Sequence, residues 1–167
     1  MSHLQHKAAS PASVACFVLT VSDTRTEADD ASGRAIAELL AAHGHRVVGR
    51  RIVRDEPDVI RAVLDDQLAS AAVSAAITTG GTGISGRDGT YEVVTGLMEK
   101  AIDGFGELFR MLSYQEIGAA AMLSRACAGT SRGKILIALP GSEHAVRLAM
   151  TKLVLPELGH MVREVGR

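Results

Sequence analysis

The chain has 167 residues and a net charge of −1. That is the length of one domain able to bury its own core, and no dense run of Lys and Arg offers the basic face a nucleic acid needs. Hydrophobic residues make up 47% and charged residues 22%, while aromatics are only 3% and Trp is absent, so the core is expected to be aliphatic, as in a packed α/β protein.

Residues 1–13, MSHLQHKAASPAS, read as a flexible tail ahead of a single domain over 14–167. They hold no apolar stretch resembling a signal sequence, and no later apolar run reaches the roughly 18 residues that cross a bilayer, so no membrane partner is expected. His3 and His6 offer a loose metal site, but disorder at a terminus is the preferred reading. VACFVLTV (14–21) is a continuous apolar run, the pattern of a strand buried on both faces. SDTRTEADDASG supplies turn and cap residues, and Ile36, Leu39 and Leu40 then recur at helical spacing up to HGH at 43–45. RVVGRRIV (46–53) returns as a strand on which Arg50 and Arg51 alternate faces, and these with Arg54 read as a solvated edge. DEPDVIRAVLDDQLAS follows as a helix with Pro57 in its first turn and Val59, Val63 and Leu64 along one face. AAVSAAITT is the third strand, and beyond the glycines that follow, Tyr91, Val94, Leu97 and Met98 mark another helix. This alternation implies a mostly parallel sheet with right-handed crossovers and helices on both faces.

From residue 103 the rhythm changes. Short helical pieces are expected over DGFGELFRMLSYQEIG, where Phe105, Leu108, Phe109, Leu112 and Ile117 suit a core or a subunit interface and Glu107 is an acid among apolar neighbours. LSRACAGTSRGKILIALPGS reads as two strands joined by a Gly/Ser turn, an antiparallel addition to the sheet. A long amphipathic helix closes the chain, with Pro156 expected to kink or split it. The fold class is therefore a three-layer αβα sandwich. Cys16 and Cys127 lie in separate apolar runs outside any C-x-x-C pattern, which predicts buried reduced thiols and hence a cytoplasmic location.

In open α/β sheets ligands sit beyond the carboxyl ends of the strands, where 22–33, 54–58 and 80–90 should meet. GGTGISGRDG (80–89) leaves a strand and enters a helix, so its backbone N–H groups can point at an anion such as phosphate. Gly81, Gly83 and Gly86 fit the spacing of a dinucleotide fingerprint, with Glu99 or Asp103 as its acid, but no apolar strand follows to carry that acid. A P-loop is excluded because no Gly-Lys-Ser/Thr follows. A plain tight corner remains open, against which stand Arg87, able to fork onto phosphate, and Asp88, able to hold a metal ion. Mg²⁺ is usually held by one or two carboxylates plus phosphates, and Asp55 is the candidate partner, though its place also suits a helix cap. Asp23, Asp30 and Ser32 carry the same two readings, cap or site.

Taken in order, TVSD, DDASG, DE at 55–56, TTGGTG with RD, GFGELFRMLS and LPGS resemble the MogA/MoaB family of molybdenum cofactor biosynthesis proteins, to which the gephyrin G domain is related. The resemblance runs from about Val14 to Pro156, and the set is far more specific than a lone glycine motif. It implies a molybdopterin adenylyltransferase: the phosphate of molybdopterin attacks the α-phosphorus of Mg-ATP, giving adenylyl-molybdopterin and pyrophosphate. Carried over by motif, the two catalytic, Mg²⁺-associated aspartates match Asp55 and Asp88. Nucleotide or pterin contacts match Ser22, Asp23, Gly80, Gly81, Thr82, Gly83, Glu107, Ser113, Pro140, Gly141 and Ser142, with Arg87 adding charge. The family also implies homo-trimers or, in the MoaB branch, hexamers of two trimers.

Two departures stand out. LPGSEHA lacks the proline that the established transferases usually carry after PG, which places the chain nearer the MoaB branch, and a Ser-Gly pair precedes Arg87. Some members of that branch have lost activity with their aspartates, whereas both are present here. The alternative reading is a non-catalytic pterin- or nucleotide-binding protein of the same pathway; a nicotinamide oxidoreductase and a purely structural oligomer are weaker rivals.

Overall fold

The computed structural model describes residues 7–167. The expectation about His3 and His6 lies outside the described residues. Six strands form one sheet: β1 (Ala15–Val21), β2 (Arg46–Val53), β3 (Ala75–Thr79), β4 (Lys100–Ala101), β5 (Cys127–Ser131) and β6 (Lys134–Leu139), in the order β2-β1-β3-β6-β5-β4. β1 runs parallel to β2 and β3, and β3 runs parallel to β6. β5 runs antiparallel to both β6 and β4, the expected C-terminal addition. The helices are α1 (Ala31–Ala42), α2 (Pro57–Ala69), α3 (Thr90–Leu97), α4 (Asp103–Ile117), α5 (Glu143–Ala149) and α6 (Leu155–Val165).

The strand period of two divides the core. Cys16 and Val18 of β1, Ile77 of β3, and Ile135 and Ile137 of β6 face one layer, where they meet Ile36 and Leu40 of α1, Phe105 and Phe109 of α4, and Val146, Met150 and Leu158 of the C-terminal helical run. Phe17 and Leu19 of β1, with Leu136 and Ala138 of β6, face the other and meet Ile60, Leu64 and Leu68 of α2 and Val94 and Leu97 of α3. Strands buried on both faces must read as nearly unbroken apolar runs, which is why β1 and β6 do. β1 therefore feeds a helix on one face of the sheet and its neighbour β3 feeds a helix on the other. That is a topological switch point, and it opens a crevice at the carboxyl ends of β1 and β3.

Several details differ from the sequence reading. Val59 is exposed at 43% and Ile60 takes its place in the core, while Val63 and Leu64 are buried as expected: the buried stripe runs Ile60, Val63, Leu64, Leu68 at helical spacing, and Val59 falls just outside it. Residues 103–117 form one helix, followed by a 3₁₀ turn over Gly118–Leu123, since their apolar positions keep helical spacing throughout. β4 has two exposed residues, too short for alternation to reveal. The C-terminal run is split by a π segment, Met150–Val154, immediately before Pro156, where a proline ring would crowd the carbonyl four residues back in an α-helix. Part of the expected tail lies against α6: Lys7 pairs with Glu157 at 2.5 Å, and the Pro11 carbonyl packs at Gly159. Both cysteines are free, with Cys16 buried and Cys127 half-buried, and burial pushes their thiols up to about 12 and about 11.

Asp30 resolves as a cap. It is fully buried, accepts from Gly33 N at 3.0 Å at the start of α1, and also takes the Thr20 hydroxyl at 2.8 Å and Arg50 Nη2 at 3.0 Å. Arg50 is thus not merely a solvated edge residue: it reaches from β2 to neutralise a buried carboxylate. Asp30→Ala removes the cap and strands the Thr20 hydroxyl, so a destabilisation of about 2–4 kcal/mol in urea melts is expected.

Candidate functional site

The rim of the sheet is assembled by three loops, and polar contacts tie them together. Asp23, just past β1, accepts from Asp55 N at 3.1 Å, which fixes the loop after β2. It is also gripped by Arg87 from the loop after β3, through Nε at 3.0 Å and Nη2 at 2.9 Å. Arg87, 57% exposed, is thus engaged by Asp23, and its fork serves to join loops. Ser22 caps a turn, its Oγ accepting from Thr24 N and Arg25 N, and with Asp23 it borders a separate hollow lined by Arg25, Arg50, Arg51 and Arg54.

The glycine loop runs over 80–89. Gly80 has φ +96° and Gly81 φ +68°, the left-handed region where a side chain is strained. A Cβ on Gly80 would collide with the Val21 carbonyl, and one on Gly81 would collide with the Thr90 hydroxyl and lie 2.7 Å from Asp55 Oδ2. Two residues on, a Cβ on Gly83 would lie 2.8 Å from Asp88 Oδ2. The two aspartates therefore flank the same turn, Asp55 against Gly81 and Asp88 against Gly83. Asp55 is 7% exposed and its Oδ1 accepts from Gly89 N at 3.1 Å, while Asp88 Oδ2 accepts from Ser85 N at 2.9 Å and folds the loop back on itself. Among the described residues, the N–H groups of Gly81, Thr82, Gly83 and Ile84 have no protein acceptor, which leaves the turn four consecutive donors for an anion.

A cleft of about 420 Å³ opens over this turn. Gly80, Gly81, Thr82, Gly83 and Asp88 form one side, and Pro140, Gly141 and Ser142 beyond β6 form another. Ser113 and Phe109 of α4 close it, with Ile117 and Leu123. Most of the expected contact residues thus share one cleft. Glu107 does not: it is exposed on α4 and outside that lining, because the α4 face turned to the cleft carries Phe109 and Ser113, two and six residues further on. Asp55 sits behind Gly81 as the floor of the turn.

Sequence reasoning missed two arginines. Arg25 donates to Ser32 Oγ at 2.5 Å and to the Gly141 carbonyl at 2.8 Å, so it clamps the 140–142 loop, whose Pro140 carbonyl is also held by Thr79 Oγ1 at 2.8 Å. Arg125 holds the glycine loop, through Thr82 O at 3.1 Å and the Gly83 carbonyl. Bonds from a side chain to distant main-chain carbonyls carry no motif, so nothing in the spacing signals them.

Residues 17–160 match the family described as a probable molybdopterin binding domain. The chain belongs to this family. It is 50% identical over 166 residues to "Molybdenum cofactor biosynthesis protein B" of Halalkalibacterium halodurans, covering 99% of this chain and 98% of the relative. A crystal structure of a molybdenum cofactor biosynthesis protein B superposes with a TM-score of 0.90 at 50% identity, covering 93% of this chain and 98% of that one. The tungsten cofactor synthesizing protein MoaB from Pyrococcus furiosus superposes with a TM-score of 0.86 at 35% identity, covering 95% and 100%. Within the molybdopterin-binding family the chain is thus of the MoaB type, and the three-layer fold is the family's fold. The dinucleotide reading falls away: β4 runs antiparallel to β5, and the supposed acid Glu99 accepts from Arg132 N at 2.7 Å at the far edge of the sheet.

Burial raises the Asp55 carboxyl above the usual range, the charges of Asp88 and Asp23 push the same way, and the Gly89 N–H opposes them. A carboxyl whose folded pKa lies above its unfolded value weakens the fold as pH rises through that window. The melting temperature of Asp55→Asn should therefore match or exceed wild type at neutral pH, with the gap closing as pH falls towards 4. A gap that widens on acidification would contradict this placement.

Proposed function

We propose that this MoaB-type chain is a molybdopterin adenylyltransferase acting on Mg-ATP. The observation that carries the proposal is a glycine turn whose four amides lack protein acceptors, with Asp88 beside it in a cleft also lined by Ser113 and residues 140–142, and with Asp55 directly behind Gly81. An oxygen of the molybdopterin phosphate attacks the α-phosphorus of ATP, the bond from that phosphorus to the bridging oxygen breaks, and pyrophosphate leaves. No proton need be removed from the nucleophile, which is already anionic. Such a transfer asks the protein mostly for positioning and charge neutralisation.

The residues fit a divalent cation. Among the described residues no three His, Cys, Asp or Glu gather as a ready-made cage, and Mg²⁺ is commonly held by one or two carboxylates plus substrate phosphates. Asp55 and Asp88 would be that pair: burial is the main cause that raises the Asp55 carboxyl, the charge of Asp88 adds to it, and a bound cation would offset both. When bound, Mg²⁺ neutralises charge building on the phosphates. The chain's own part is to present amides 81–84 to the triphosphate, with glycine at 80 and 81 allowing the positive-φ turn to pack against Val21, Thr90 and Asp55, and glycine at 83 leaving room beside Asp88. Ser113, Gly141 and Ser142 offer polar contacts to the rest of the substrates from the opposite walls, and Ser22, Asp23 and Arg87 brace the rim. Glu107 is left to contacts outside this cleft.

Incubating the protein with molybdopterin and Mg-ATP should release pyrophosphate and form adenylyl-molybdopterin, and EDTA should stop both. Tight binding without pyrophosphate release would favour the non-catalytic carrier. A homo-trimer or homo-hexamer belongs to the same proposal: Leu108, Met111, Tyr114 and Ile117 recur every third residue on α4, and with Met122 and Leu123 they leave an exposed apolar strip, larger than scattered surface residues explain. Light scattering should give three or six times the chain mass, and Met111→Glu should lower it. A monomeric wild type would remove this part of the proposal. No helix among the described residues is long and apolar enough to cross a membrane, and a cytoplasmic place suits both substrates.

A further inference from the structure

Arg125 lies between the 3₁₀ turn and β5, and lines a different hollow from the cleft of residues 80–83, one it shares with Tyr91 and Arg110. Its guanidinium is engaged on every side. Nε donates to Thr82 O at 3.1 Å, Nη2 to the Gly83 carbonyl, and Nη1 pairs with Glu92 of α3. The group also stacks over Tyr91, with Cζ 4.6 Å from the ring centroid. One flat fork thus joins two consecutive carbonyls of the glycine loop to the first turn of the helix that follows it.

The consequence is geometric. A trans peptide holds its N–H antiparallel to its C=O, and no cis peptide occurs among the described residues. Turning the carbonyls of Thr82 and Gly83 onto Arg125 therefore turns the N–H groups of Gly83 and Ile84 the other way. Those amides are among the four without protein acceptors. A loop with glycine at 81, 83 and 86 has little else to prevent a peptide flip, and a flipped peptide would present a carbonyl oxygen to an anion. Glu92 neutralises the guanidinium, so long-range attraction is not its main contribution.

We propose that Arg125 is the positioning residue that fixes the anion-binding form of the glycine loop, by holding the Thr82 and Gly83 carbonyls outward so that the Gly83 and Ile84 amides face the phosphates. The inference rests on the adenylyl-transfer proposal, and it extends it to a residue that touches neither substrate. Lysine cannot substitute, because a point ammonium spans neither two carbonyls nor the ring of Tyr91.

The test compares wild type, Arg125→Lys and Arg125→Met in the full-length chain. Each is titrated with inorganic pyrophosphate while amide spectra and melting temperature are recorded, and kcat and KM for Mg-ATP are then measured. In wild type the Gly83 and Ile84 resonances should move on binding. Arg125→Lys should stay folded yet bind pyrophosphate at least tenfold more weakly, lose those two shifts, and drop in kcat more than a change in KM for ATP explains. If Arg125→Met is insoluble, the lysine variant decides. Wild-type affinity and unchanged Gly83 and Ile84 shifts in a folded Arg125→Lys protein would overturn the assignment while leaving the transferase reading intact. A wild type that neither binds pyrophosphate nor turns over Mg-ATP would overturn both.

Discussion

Asp88→Asn should leave the fold standing and lower adenylyl-molybdopterin formation by on the order of 10²- to 10³-fold, the scale on which a single preorganised electrostatic contact acts in a closed site. Asp88 is half-exposed at the cleft, and its Oδ2 already accepts from Ser85 N, so an amide oxygen can keep the turn while the charge is gone. Asp55→Asn should do the same to turnover. The two variants differ in stability, because Asp55 is mostly buried and its ionised form is disfavoured there. Loss of activity with an unchanged or raised melting temperature separates a functional carboxylate from a structural one. Near-normal pyrophosphate release from either variant would remove the aspartate pair from the chemistry.

The second large effect is on the fold. Gly80→Ala should destabilise the protein by roughly 3–5 kcal/mol, from the strain of a side chain at positive φ and from overpacking. The Cβ would meet the Val21 carbonyl, a main-chain atom that cannot swing aside, and Gly80 N is already tied to Leu139 O at 3.1 Å between neighbouring strands. Gly86→Ala is the internal control: nothing lies within 4 Å of its Cβ and its φ is not positive. Its melting temperature should stay within about one degree of wild type, as for an ordinary surface change. Equal losses at both positions would mean that the loop is not held as described.

What the sequence disclosed follows from where information is periodic. β1 and β6 were legible because burial on both faces leaves a nearly continuous apolar run, broken only by Thr20 in β1 and opened by Lys134 in β6. The split before Pro156 was legible because proline's lack of an N–H is local. β4 was not, since two residues carry no alternation, and in α2 the adjacent Val59 and Ile60 make the buried face ambiguous by one step. At the site, the glycines, Asp55, Asp88, Ser113 and residues 140–142 were readable as types in order, and the fold brings most of them to one cleft. The cap at Asp30 was one of the two readings its sequence position offered, but the reach of Arg50 to that carboxylate, the engagement of Arg87 by Asp23 and the grip of Arg125 on two carbonyls depend on loop and strand placement that no spacing encodes. Glu107 illustrates the converse: helical spacing placed it among apolar neighbours, yet it projects from the solvent side of α4.

The central claim is that Asp55 and Asp88 share one divalent cation beside the amides of residues 81–84. A crystal structure with Mn²⁺ and a non-hydrolysable ATP analogue, read by anomalous scattering, tests it most directly. The account predicts a single Mn²⁺ peak between the two carboxylates, with the triphosphate along that turn. A peak held by neither aspartate, or a nucleotide bound in the arginine-lined hollow beside β2 instead, would contradict it.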